Sequence, residues 1–193
     1  MGHQERRIRQ KEELKQSILD AAKKIASKEG WQAVTIRKIA DAIQYTPPIV
    51  YEYFESKEVL IGELVYSGFR ILSAQTLKAR QMETDPRKLL LNLSLISWDF
   101  AFSHKELFQL MFSLERPVPN QQMISMFETI DDVFLKIAKD NTELSQELLL
   151  NWICLNHGAI TVMMQTEAPS RQFRKLPPRE NFAKMVRRFI SSI

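Results

Sequence analysis

Residues 35–60 read TIRKIADAIQYTPPIVYEYFESKEVL, a stretch that mixes groups able to bind specifically with two adjacent prolines. Thr35, Arg37, Thr46, Tyr51, Tyr53 and Lys57 supply hydroxyls, phenols, a guanidinium and an ammonium, with Pro47, Pro48 and Ile49 set among them. The polar groups are donors suited to phosphate oxygens, and the apolar ones suit thymine methyls or sugar edges. Bond-making chemistry finds no comparable support. HExxH, P-loop, GxGxxG and GxSxG patterns are all missing, so no catalytic residue is assigned. Glu128, Asp131 and Asp132 form an acidic run on a helical repeat, which reads as a solvated face. No ligand set for a metal stands out, and no cofactor is expected.

These donors need short, well-capped helices to hold them. Leu14, Ile18, Ala22, Ile25 and Ala26 form one helical stripe that Gly30 stops. Thr35 caps a second helix carrying Ile36, Ile39, Ala40 and Ile43. After the break at Gln44-Tyr45-Thr46 a third helix runs to about Phe54. A residue before proline resists the helical region, so Thr46 and Pro47 are expected extended and the helix is expected to start at Pro48. Ser56 caps a fourth helix reaching about Arg80, with Glu58 suited to its positive end. Helix, short turn, short helix is a helix-turn-helix pattern, whose second helix enters a DNA major groove while the first braces it.

The same segment resembles the DNA-binding region of the TetR family of bacterial transcriptional regulators. Thr35, Ile39, Ala40 and Ala42 match its brace helix, Thr46 opens the recognition helix, and Tyr51, Tyr53 and Phe54 end it. Ser56, Lys57, Glu58 and Leu60 then match the start of the family's fourth helix. The resemblance implies that Tyr51 and Tyr53 meet the phosphate backbone, while Phe54 reads as core. Two departures stand out: Gln44 replaces the family's usual turn glycine, and Pro47-Pro48 replaces its frequent Lys-Gly.

Further helices are expected at about 87–103, 105–114, 121–139, 142–166 (with Thr142 as its cap) and from Phe182 to Ile190, with ERPVPN and APSRQFRKLPP as loops among them. The fold expected is all-α: a three-helix DNA-binding unit (1–55), then a ligand-binding and dimerisation domain (56–193) of about six helices. The resemblance implies a dimer and a small inducer in the second domain. Trp152, His157 and Gly158 further resemble the Trp-His-Gly (WHG) type of that domain. Trp98, Phe102, Met111, Phe112, Met126, Phe127, Trp152 and His157 are the candidate inducer contacts, suited to a hydrophobic or aromatic molecule. Most residues of this kind at helical spacing are plain core. The last two long helices carry more apolar surface than one small bundle hides, which points to a homodimer through them. The partners expected are therefore double-stranded DNA, a second copy and an inducer. A constitutive DNA-binding dimer without an inducer is the alternative.

Composition agrees with these expectations. The 193 residues have a net charge of +4, distributed unevenly: the tail from residue 171 carries seven basic side chains and one acidic. The lone Cys154 excludes an internal disulfide, fits a reducing cytoplasm and reads as a small buried residue. The first residues are too charged for a signal peptide, and no apolar run approaches the ~20 residues a membrane span needs.

Overall fold

The computed structural model describes residues 2–113, 121–165 and 178–193. The two connecting segments ERPVPN and APSRQFRKLPP lie outside these, apart from Pro178. Every regular element among the described residues is helical: α1 (His3–Glu29), α2 (Ile36–Ala42), α3 (Pro47–Tyr51), α4 (Lys57–Met82), α5 (Pro86–Ser103), α6 (Lys105–Met111), α7 (Gln121–Ile137), α8 (Thr142–Gln165) and α9 (Pro178–Ser191), with a 3-10 turn at Trp31–Ala33. The all-α expectation holds.

Residue contacts divide the chain into two compact units: residues 1–67 with 106–117, and residues 68–105 with 118–193. In the first unit the buried core comprises Ile18, Ala22, Ile25 and Ala26 of α1, Ile36, Ile39 and Ala40 of α2, Val50 of α3, and Leu60 and Leu64 of α4. Leu14 of the same α1 stripe is half-buried, and Ala42 is exposed instead of packing α2. Phe54 is 2% exposed, the core residue expected. Trp31 joins α6 to this unit, its indole N–H donating to the Glu106 carbonyl at 3.0 Å.

The second unit is a helical bundle. Leu90, Leu93 and Trp98 of α5, Ile130, Val133 and Phe134 of α7, Trp152 and Ile160 of α8, and Phe182 and Val186 of α9 form its core. A buried polar thread runs through it. The Trp152 indole N–H donates to the Ser94 hydroxyl at 3.0 Å, which in turn donates to the Leu90 carbonyl at 2.9 Å.

Several expectations change in detail. The first helix is not short: α1 has 27 residues and begins well before Leu14. Its opening turns carry almost no apolar residue and are held by local pairs such as Arg9–Glu13 at 2.8 Å. The third helix starts at Pro47, one residue earlier than expected. Proline's fixed φ suits the first helical position, and that fit outweighs the pre-proline bias on Pro47. The cap of α8 is Asn141, whose side-chain oxygen accepts from the Leu144 N–H at 3.1 Å, while Thr142 is the first helical residue. Cys154 is exposed, not buried. Trp152, Asn156 and Ile160 set the inward phase of α8, and Cys154 falls on the other side with Leu150, Gly158 and Val162.

Candidate nucleic-acid interface

The brace helix begins as its sequence predicts. Thr35 is extended, and its hydroxyl oxygen accepts from the Lys38 N–H at 3.2 Å. That oxygen's own proton is left available to a phosphate at the helix start. Arg37 is exposed in the first turn, and Lys38 beside it pairs with Glu29 at 2.6 Å.

Between the two helices the chain closes a Schellman motif. The Tyr45 N–H donates to the Ala40 carbonyl at 2.9 Å and the Gln44 N–H to the Asp41 carbonyl at 3.2 Å. This geometry requires a left-handed residue, and Gln44 has φ +61°. The turn is therefore built as a glycine would build it, with glutamine carrying the strain. Gln44 is exposed, so its side chain has little packing to lose. Gln44→Gly is expected to stabilise the protein by about 1 kcal/mol. Urea denaturation measures this, and a loss of stability would contradict the strain.

The tip of α3 follows from its prolines. Thr46 is the extended N-cap, and Pro47 and Pro48 occupy the first turn. Pro48 removes one of the two N–H groups an N-cap side chain uses and the other, on Ile49, is bonded to the Thr46 carbonyl, so Thr46 makes no side-chain cap bond. Ile49 supplies the first N–H, donated to the Thr46 carbonyl at 3.0 Å. The result is an exposed Thr46 hydroxyl beside an exposed Pro48, with Pro47 and Ile49 half-buried. Tyr51 is 52% exposed and Tyr53 half-buried, near the C-terminal end of α3.

At the start of α4 the Ser56 hydroxyl oxygen accepts from the Val59 N–H at 3.2 Å, the cap expected of it. The Glu58 carboxyl is held below its ordinary range, first by its backbone N–H, then by the Ser56 hydroxyl and the Lys57 charge. Lys57 is half-buried and donates to the Trp31 carbonyl at 3.4 Å. An ammonium has three donors, so two remain. The nine expected nucleic-acid contacts thus lie at the cap and first turn of α2, at the cap of α3 and along it, at Tyr53 in the α3–α4 connection and at the first residue of α4, all within one compact unit.

Sequence reading missed Tyr45 and the face of α1 nearest it. An open cleft of about 810 Å³ is lined by Arg7, Gln10, Lys11, Glu13, Leu14 and Ser17 of α1 with Tyr45, Glu52 and Tyr53. The available signal was the helical spacing of Arg7, Lys11 and Leu14, hidden because the stripe above Leu14 is polar.

The eight candidate inducer contacts are divided. Met111 and Phe112 group with the first unit, and Trp98, Phe102, Met126, Phe127, Trp152 and His157 with the second. Trp98 stacks on Phe102, at 4.3 Å between centroids, and on Phe182, at 4.8 Å. Trp152 meets Phe134 edge-on at 5.9 Å. An open cleft of about 580 Å³ in the second unit, beside the bidentate Arg179–Asp99 pair, is lined by none of these eight. No group of three His, Cys, Asp or Glu among the described residues could hold a metal ion. No helix of the described residues is long and apolar enough to cross a membrane.

Comparison with known proteins bears on the same region. The pattern of bacterial regulatory proteins of the tetR family matches residues 18–64, which include α2, α3 and the start of α4. The HTH-type transcriptional repressor NicS of Pseudomonas putida is 33% identical over 103 residues, 52% of this chain and 47% of that protein. The chain thus spans about half the length of that relative. Among solved structures, a tetR-family regulatory protein from Rhodococcus RHA1 superposes with a TM-score of 0.68 at 18% identity, covering 92% of this chain and 95% of that one. The fatty acid degradation regulator FadR from Bacillus halodurans gives 0.68 at 15% identity, covering 93% and 95%. The chain has the TetR-family transcriptional regulator fold, and it carries the family's sequence pattern across the helix-turn-helix.

Proposed function

We propose that this protein is a DNA-binding transcriptional repressor, a homodimer that holds a near-palindromic operator and releases it when a small hydrophobic or aromatic inducer binds. The observation that carries the reading is the exposure of Thr35, Arg37, Thr46, Pro48 and Tyr51, donors and apolar groups on two short helices joined by a tight turn. A related protein over half the chain is itself a transcriptional repressor, which supports the sign of regulation.

Thr35, Arg37, Tyr51, Tyr53 and Lys57 grip phosphates in this reading, and Thr46, Pro47, Pro48 and Ile49 meet base edges. Residues 1–55 act as the DNA-binding domain and 56–193 as the ligand and dimerisation domain, of the WHG type. Dimerisation uses α8 and α9, where Leu150, Val162 and Met185 are exposed. The inducer contacts Trp98, Phe102, Met111, Phe112, Met126, Phe127, Trp152 and His157. Its binding shifts α4, which begins at Lys57 beside the operator contacts, and changes the spacing of the two recognition helices. An inducer can do this only by binding the released state more tightly.

Selection from random duplexes tests the reading. The expected product is a near-palindrome with half-sites about one helical turn, ~34 Å, apart. Failure to enrich any sequence would end the repressor reading. Replacing Pro47-Pro48 with Lys-Gly is expected to change the selected half-site, because a stiff apolar tip gives way to a flexible cationic one. Each altered base-pair preference is worth about 1–3 kcal/mol. An unchanged operator would show that the prolines do not read bases.

A further inference from the structure

The opening turns of α1 hold none of the nine nucleic-acid contacts assigned above. Residues 4–13 are all exposed, so this stretch of a 27-residue helix buries almost nothing and contributes little to the core. Its charged side chains are not evenly disposed. Arg7, Gln10 and Lys11 fall on the stripe that continues into Leu14 and Ser17, and that stripe forms one wall of the cleft beside Tyr45 and Tyr53. Arg9, off this wall, is neutralised by Glu13 at 2.8 Å. The side chains of Arg7 and Lys11 make no hydrogen bond or ion pair among the described residues.

Resting on the DNA-binding reading above, we propose that this cleft is a second phosphate-binding track for duplex DNA, with Arg7, Lys11 and the Tyr53 phenol contacting the sugar-phosphate backbone outside the bases read by α3. Two observations choose this occupant. The cleft is continuous with the recognition helix, since Glu52 and Tyr53 directly follow α3 and also line it. A helix in the major groove has a phosphate strand along each groove edge, and the groove is only about 12 Å wide. Thr35, Arg37 and Lys57 line no part of the cleft, so it adds contacts to theirs instead of repeating them. The chemistry also fits. Two unpaired cations, the Gln10 amide and two phenols offer donors to an anionic backbone, and the cleft is open enough to admit it. Glu13 is turned to Arg9, and Glu52 stands on the α3 side, which directs the phosphates toward the α1 wall.

The full-length chain carrying Arg7→Gln and Lys11→Gln tests this on the operator selected by the wild type. Both positions are exposed, so unchanged thermal unfolding is expected. The slope of log K against log salt should fall in magnitude by about 0.9 for each phosphate no longer neutralised. Hydroxyl-radical footprinting should lose backbone protection outside the selected half-sites and keep it within them. Lys136→Gln with Lys139→Gln removes the same charge from α7 and the turn after it and should change neither reading. A double variant with the wild-type slope and footprint would overturn the proposal, as would an equal loss in the α7 control. A wild type that selects no sequence would instead remove the DNA-binding reading itself.

Discussion

Leu150→Glu is expected to turn a dimer into a folded monomer and to weaken operator binding by at least about 100-fold. Leu150 is 61% exposed on α8, and along the same face lie Cys154, Gly158 and Val162, all exposed. Such a face costs little in a dimer and is a liability in a monomer, since contiguous apolar surface is normally covered. Two copies of α8 related by a two-fold axis would bury it, with Gly158 letting the helices approach closely. A carboxylate at Leu150 would be desolvated against an apolar face with no cation to pair it. The bundle core lies on the other side of α8, at Trp152, Asn156 and Ile160, so the monomer should retain its helicity. Sedimentation equilibrium reads the oligomeric state and anisotropy reads the operator affinity. The loss of affinity follows because the second half-site is no longer held at high effective concentration. A variant that stays dimeric would place the interface elsewhere.

Phe54→Ala should produce the largest loss of stability in the N-terminal unit, about 3–5 kcal/mol. The ring is 2% exposed, the Phe54 N–H donates to the Val50 carbonyl at 3.0 Å, and the Lys15 ammonium lies 5.9 Å from the ring centroid. Truncation leaves a cavity where α3 ends and α4 begins, so the recognition helix loses its support along with the core. Tyr51 provides the contrast. Being 52% exposed, Tyr51→Phe should leave stability within about 0.5 kcal/mol while weakening operator binding through the missing phenol. Urea unfolding at fixed protein concentration separates the two. Equal stability losses in both variants would contradict the division between core residues and DNA-facing ones.

The helix-turn-helix was legible because its signals are local. Thr35 and Ser56 cap the helices expected of them, and Gly30, at φ +83°, ends α1 where expected. Proline at α3 was also legible, though the competition between its fixed φ and the pre-proline bias was settled one residue earlier than the sequence suggested. Gln44 left open whether the turn kept its glycine-like form; only the backbone bonds from Tyr45 and Gln44 show that it does.

Other features depended on information absent from any short window. The first turns of α1 have no apolar stripe, so periodicity gave no reason to extend the helix to His3. Asn141 and Thr142 are both competent caps, and the choice between them rests on where the chain arrives from α7. By residue type Cys154 belongs inside, while its phase relative to Trp152 places it outside. Met111 and Phe112 shared the composition of the other candidate inducer contacts, yet α6 groups with a unit most of whose chain lies before residue 68. That assignment is a long-range fact of packing.

The most direct test of the central claim is an anisotropy titration of the selected operator and a scrambled duplex of equal length, at several salt concentrations. The predicted result is two chains bound per operator, at least about 1000-fold preference over the scrambled duplex at physiological salt, and affinity that falls steeply as salt rises. Equal affinity for the two duplexes, or binding indifferent to salt, would contradict it.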